Sequence, residues 1–129
     1  MATVTLTTDK FESTIRDNDI VLIDFWAAWC GPCRSFAPVF EKASEKHGDI
    51  VFAKVDTEDQ QELAATFQIS SIPTLMVFRD QVLLYSQPGA LPAGALESLI
   101  EQIRALDMDD VRKKVADAEA NHANQGHSH

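Results

Sequence analysis

Two cysteines, Cys30 and Cys33, are the residues of this 129-residue chain whose type and spacing best suit chemistry. They are its only cysteines, and Gly31 and Pro32 separate them. A disulfide between them would close one of the shortest loops available, so it would stabilise the fold very little through loop closure. The spacing instead favours reversible exchange, in which one thiolate attacks a disulfide and the other resolves the mixed disulfide.

The cysteine pair lies at a predicted junction between a strand and a helix. The apolar run Ile20–Ile23 leads to Trp26 and is typical of a strand buried on both faces. A helical pattern begins at Gly31, and the proline after it suits a first helical turn. Cys30 is therefore expected at a helix N-terminus, where free N–H groups and the helix dipole stabilise a thiolate.

Two other interpretations of the cysteines are inert core residues and half of a zinc site. A structural zinc site normally has four ligands, and the chain has no second pair of cysteines. His122, His127 and His129 could bind a metal weakly, but they belong to a polar tail that is expected to be frayed. The sequence favours redox chemistry with no bound metal.

The remaining pattern predicts one α/β domain, residues 1–106, followed by a helical extension with a disordered histidine-containing tail, residues 107–129. The predicted strands cover 3–6, 20–26, 50–55, 74–78 and 82–85, and the predicted helices cover 9–16, 31–46, 58–67, 92–105 and 109–120. The last two strands should form an antiparallel hairpin. Pro38, inside the second helix, predicts a kink.

The charge balance restricts the partners that the chain can have. With 20 acidic and 11 basic residues the net charge is −9, which disfavours nucleic acids and anionic membranes. The longest apolar run is too short to cross a bilayer, and the first residues lack the pattern of a secretory signal. The expectation is a cytoplasmic, monomeric protein that binds neither nucleic acid nor membrane.

Several motifs resemble the thioredoxin family in order and spacing from about Thr3 to Leu106. The first motif, Asp24–Arg34, contains the cysteine pair, and the others are Ala37-Pro38, Ala53–Asp56, Ile72–Leu75 and Gly89–Leu91. The resemblance implies a thioredoxin fold, with a central mixed sheet of about five strands flanked by helices. It also implies a protein-disulfide reductase, in which Cys30 is the nucleophile and Cys33 is the buried resolving thiol.

The resemblance also implies how the cysteine pair is recharged. Disulfide-containing proteins would be the targets, and a flavin- and NADPH-dependent thioredoxin reductase would restore the dithiol. The redox-active disulfide would then be the chain's own redox group, with no cofactor bound. Two alternatives are a dedicated reductase for one target and a non-catalytic binding or chaperone-like module.

Asp24 is a third candidate catalytic residue. A carboxyl group in an apolar strand should have a raised pKa, which suits proton transfer near neutrality. The resemblance implies that it is a base or proton relay for the resolving cysteine. A structural carboxylate paired with Lys54 is the alternative; in the functional interpretation Lys54, together with Gly31 and Pro32, tunes the site.

A substrate-binding surface is also implied by the resemblance. Pro73 matches the family's cis-proline, which faces the cysteines. Trp29, Ile72 and Gly89 are expected to form a flat apolar surface around Cys30. Trp26, in contrast, is expected in the core.

Three features depart from the family pattern. Gln81 stands where glycine is usual in the hairpin turn, which predicts a turn type without positive φ. Ser71 stands where glycine is common at the rim of the docking surface. After Leu106, a stripe of Met108, Val111 and Val115 predicts a helix packed on its own domain, or alternatively a contact with a partner or a second copy.

Overall fold

The computed structural model describes the backbone of residues 2–127 and the side chains of residues 2–121. The elements are β1 (Thr3–Thr5), α1 (Thr8–Asp17), β2 (Ile20–Trp26), α2 (Gly31–Lys46), β3 (Val51–Asp56), α3 (Gln61–Thr66), β4 (Thr74–Arg79), β5 (Val82–Pro88), α4 (Ala93–Ala105) and α5 (Met108–His127). This order confirms the predicted α/β class. Pro38 lies within the continuous α2, and the kink there stays a prediction.

The five strands form one mixed sheet in the order β1-β3-β2-β4-β5. β3 runs parallel to both β1 and β2, whereas β4 is antiparallel to β2 and β5. β2 is therefore central, and its residues from Ile20 to Phe25 are buried. This agrees with the continuous apolar run predicted to lie between two layers of helices.

Alternate residues of β2 face two separate halves of the core. Leu22 packs with Phe36 of α2 and Leu96 of α4 on one face of the sheet. Ile23 packs with Leu63 of α3 on the other face. Because side chains alternate along a strand, Asp24 is expected on the same face as Leu22, under the helix that carries Cys33.

The hairpin turn between β4 and β5 contradicts the predicted turn type. Asp80 has φ 50° and Gln81 has φ 69°, so both adopt the left-handed region. Two-residue hairpin loops of type I′, whose twist matches the flanking strands, have positive φ at both positions. The Asp80 N–H also donates to the carbonyl of Asp19 at 2.8 Å, which holds the turn in place.

Gln81→Gly should stabilise the protein by about 1 kcal/mol, because glycine adopts positive φ without the penalty that a Cβ imposes. Denaturant unfolding measures the change. Gln87→Gly is the matched control, since Gln87 is exposed but pairs with Leu75 inside the sheet; it should destabilise the protein. A lower free energy of unfolding for Gln81→Gly would contradict the account of the turn.

α5 packs on its own domain only through its first turns. Met108 is buried and Val111 half-buried, whereas Val115 is 38% exposed. Arg112 donates to Asp80 at 3.3 Å, which joins the helix to the hairpin. The predicted packing is thus confirmed for the first two residues of the stripe and wrong for Val115.

The backbone of α5 stays helical to His127. The helix thus continues beyond its predicted end at Ala120. The disorder expected of the tail stays a prediction, and residues 128 and 129 lie outside the described residues. The division of the chain at Leu106 stays a prediction. None of the helices in the described part of the chain has the length and apolar content needed to cross a bilayer.

Candidate active site

Cys30 is the N-cap residue of α2 and forms a disulfide with Cys33. Their Cα atoms are 5.2 Å apart, and the Sγ of Cys30 accepts a hydrogen bond from the backbone N–H of Cys33 at 3.2 Å. Gly31 begins the helix with proline in its first turn. The first sulfur thus lies where the sequence predicted, at the positive end of the helix dipole, which favours its thiolate.

Both cysteines are nearly buried in this disulfide form. Cys30 is 4% exposed and Cys33 is 3% exposed, and they pack with Ala27 and against Trp26 and Ile72. A target sulfur therefore reaches Cys30 only from a partner seated on the residues around it.

Two loops face the cysteine pair. The Ile72-Pro73 peptide bond is cis, and the carbonyl oxygen of Ile72 is 3.6 Å from the Sγ of Cys30. The N–H of Gly89 donates to the carbonyl of Pro73 at 2.8 Å, which ties the second loop to the first. Gly89 has φ 116°, a backbone conformation that residues other than glycine rarely adopt. The structure therefore places Ile72 against Cys30 and joins Gly89 to the same loop through Pro73.

Trp29 projects from the surface immediately before Cys30. It is 68% exposed, and its indole N–H donates to a carboxylate oxygen of Glu58 at 2.6 Å. Sequence reasoning missed Glu58, which belongs to the loop after β3. Glu58 could have been found from its position, because it follows β3 as Trp29 follows β2. The carboxyl ends of neighbouring parallel strands lie at the same edge of a sheet, so residues after both strands come close together.

Asp24 is fully buried in the central strand, with 0% exposure. Neither carboxylate oxygen has a hydrogen-bond partner among the described residues, so the structural pairing with Lys54 that was the alternative is not supported. Burial raises the pKa of Asp24 to about 7, and the positive charge of Lys54 opposes that rise. A carboxyl group with this pKa exchanges protons near neutral pH.

Lys54 lies beside Asp24 in the register of β2 and β3. Its ammonium group lies 4.9 Å from the centre of the Trp26 ring, within the range of a cation–π contact. Trp26 is only half-buried and packs against the cysteine cluster. The expectation that Trp26 is a core residue is therefore only partly correct. Trp26 is the last residue of β2, at the edge of the sheet next to the cysteine pair, and its side chain is partly exposed.

No cluster of metal-ligating side chains is found within the described residues. The side chains of the three histidines considered for weak metal binding, His122, His127 and His129, lie outside the described part.

The model of the thioredoxin family matches residues 2–102. The chain belongs to the thioredoxin family. It is 60% identical over 119 residues to putative thioredoxin 2 of Streptomyces coelicolor, covering 92% of this chain and 89% of that protein. It is 38% identical to thioredoxin of Bacillus subtilis, over 74% of this chain and 92% of that one.

Solved thioredoxin structures share the fold. A mutant thioredoxin from Halobacterium salinarum superposes with a TM-score of 0.74 at 34% identity, covering 81% of this chain and 92% of the other. The Plasmodium falciparum thioredoxin gives 0.71 at 35% identity, covering 78% and 97%. These neighbours confirm the predicted fold, a mixed five-stranded sheet flanked by helices.

Family membership and the site geometry agree on the chemistry. Thioredoxins are protein-disulfide oxidoreductases, and this chain carries its cysteine pair at bonding distance on the expected helix. The chain is a thiol–disulfide oxidoreductase that acts on disulfide-containing proteins, and the non-catalytic alternative is not favoured.

Proposed function

We propose that the chain is a general reductant of protein disulfides, with Cys30 as its nucleophile and Cys33 as its resolving thiol. The thiolate of Cys30 attacks one sulfur of a target disulfide, and the other target sulfur leaves as a thiolate. The thiolate of Cys33 then attacks the Sγ of Cys30 and releases the second target sulfur. The target gains two electrons, and the chain is left with the Cys30–Cys33 disulfide.

The N-cap position of Cys30 is the observation that carries this assignment. Its sulfur accepts the N–H of Cys33 at 3.2 Å, so a thiolate there has a hydrogen-bond donor and the helix dipole. Gly31 and Pro32 support this tuning, because they let α2 begin immediately after the nucleophile.

Asp24 is proposed as the base that takes the proton of Cys33 in the second step. Its pKa of about 7 allows it to accept a proton near neutrality and to return it afterwards. Its expected position on the sheet face covered by α2 supports the same role. Lys54 tunes the group, since its charge opposes the effect of burial on the pKa of Asp24.

Targets are proposed to dock on Trp29, Ile72, Pro73 and Gly89. The exposed indole offers apolar area, and the loop containing the cis-proline approaches the sulfur of Cys30 to 3.6 Å. Because these loops are already tied together by the Gly89–Pro73 hydrogen bond, little ordering is needed when a target binds.

The electrons are proposed to come from NADPH through a thioredoxin reductase, in the cytoplasm, with the chain acting as a monomer that binds no cofactor itself. The cysteine pair supports the proposal that no cofactor is bound, because the dithiol itself carries two electrons from the reductase to the target.

Reduction of insulin tests the proposal. With thioredoxin reductase, NADPH and insulin, the protein should sustain NADPH oxidation, and omission of any component should stop it. A folded protein that is reduced by dithiothreitol and still leaves insulin intact would contradict the general-reductase assignment. Reduction of insulin by the dithiol form without recharging by the reductase would instead contradict only the electron source.

A further inference from the structure

A small polar depression lies beside the proposed docking surface. Its volume is about 120 Å³. The polar part of its lining includes Gln68, Ser70, Ser71 and Ser86, and the apolar part is formed by Phe67, Ile69 and Pro88. Ser71 directly precedes Ile72, and Pro88 directly precedes Gly89. The depression, called here the serine pocket, thus shares its rim with the loop that contacts Cys30.

The backbone around the serine pocket is held by hydrogen bonds. The Thr74 hydroxyl donates to the carbonyl of Ser71, and Thr74 pairs with Pro88 across β4 and β5. The hydroxyls of Ser70, Ser71 and Ser86 are exposed, and among the described residues they make no hydrogen bond. The walls are therefore fixed while three hydroxyl groups stay available to a ligand.

No charged side chain lines the serine pocket, although 24% of the residues in the chain are charged. A charged target side chain would lose water there without gaining a counter-ion, which costs free energy. A wholly apolar side chain could contact Phe67 and Ile69, but it would displace water from the three serine hydroxyls without replacing its hydrogen bonds. A neutral side chain that donates and accepts hydrogen bonds avoids both costs.

We infer that the serine pocket receives a neutral hydrogen-bonding side chain of the target, such as threonine, serine or asparagine, next to the half-cystine that Cys30 attacks. The inference rests on the proposed reductase function and adds a sequence preference to it. A half-cystine at Cys30 lies beside Ile72, whose carbonyl oxygen is 3.6 Å from the Sγ of Cys30. Successive residues of an extended peptide are about 3.3 Å apart, so a peptide that runs along the 71–72 backbone brings one neighbour of the half-cystine to Ser71.

The test uses disulfide-bonded peptides in which the residue before or after the half-cystine is threonine or its isostere valine. The ratio of kcat/KM for the two members of a pair is the readout, with wild type, the triple variant Ser70→Ala/Ser71→Ala/Ser86→Ala and the control Ser98→Ala. Ser98 is an exposed serine on α4 that does not line the pocket.

Wild type and Ser98→Ala should prefer threonine by about fivefold at one of the two positions, as expected for one hydrogen bond to an exposed hydroxyl. The triple variant should bring that ratio to about one. A wild-type ratio near one at both positions, or a preference that survives in the triple variant, would overturn the inference. Wild type that reduces no peptide of either kind would remove the proposed function itself, and the inference with it.

Discussion

Cys33→Ser should stop the reaction after its first step and leave the protein covalently joined to its targets. Cys30 keeps its place at the N-cap of α2 and can still attack, but a serine hydroxyl stays protonated near neutral pH and does not displace the target sulfur. Turnover in the coupled insulin assay should fall by at least about 10³-fold. Adducts should appear on a denaturing gel run without reductant and disappear when dithiothreitol is added.

Cys30→Ser is the matched control for this experiment. It should lose turnover as completely and form no adducts, because Cys33 lies inside the first turn of α2, behind the N-cap position at which a target sulfur meets Cys30. Adducts with Cys30→Ser but not with Cys33→Ser would reverse the two roles. Turnover by Cys33→Ser at the wild-type rate would show that the second cysteine is not needed to resolve the mixed disulfide.

Local sequence signals were enough to place the catalytic pair. The apolar run Ile20–Ile23 predicted the central strand, and the cysteine spacing with the proline in the next turn predicted a sulfur at a helix N-terminus; both are observed. These features depend on residues within one strand–helix junction. The predicted burial of Asp24 succeeded for the same reason, since a charged residue in a continuous apolar run has no exposed face to occupy.

Features that depend on distant parts of the chain were not predictable in this way. The Trp29–Glu58 hydrogen bond and the serine pocket exist because the sheet order brings separate loops to one edge. At Gln81, local preference argued against positive φ. The twist of the hairpin and the hydrogen bond from the neighbouring Asp80 to Asp19 determine the backbone of the turn instead. Tertiary context decided each of these positions.

The length of α5 shows a different limit. The polar composition after Ala120 suggested an end to the helix, yet no proline interrupts residues 121–127 and the backbone remains helical to His127. Polarity alone does not end a helix where no proline is present, and the cost of one glycine, Gly126, is small enough for the helix to continue.

Asp24→Asn should stabilise the protein by about 3–4 kcal/mol at about pH 8, with little effect at about pH 4. The pKa of the buried carboxyl is raised from 3.8 to about 7, so between these pH values the folded protein holds a proton that the unfolded chain has lost. Its stability therefore falls as the pH rises through this window, and above the folded pKa the full cost of a buried charge is present. Asparagine is neutral at every pH and avoids that cost.

Denaturant unfolding of the disulfide form between about pH 4 and pH 9 measures this difference. Asp117→Asn removes the same charge from the exposed surface of α5 and should change the free energy of unfolding by less than about 0.5 kcal/mol throughout. An equal gain for Asp24→Asn at both ends of the pH range would show that ionisation of Asp24 is not its cause. If the gain is confined to high pH and the variant also resolves mixed disulfides more slowly, the cost in stability is tied to the proton transfer proposed for Asp24.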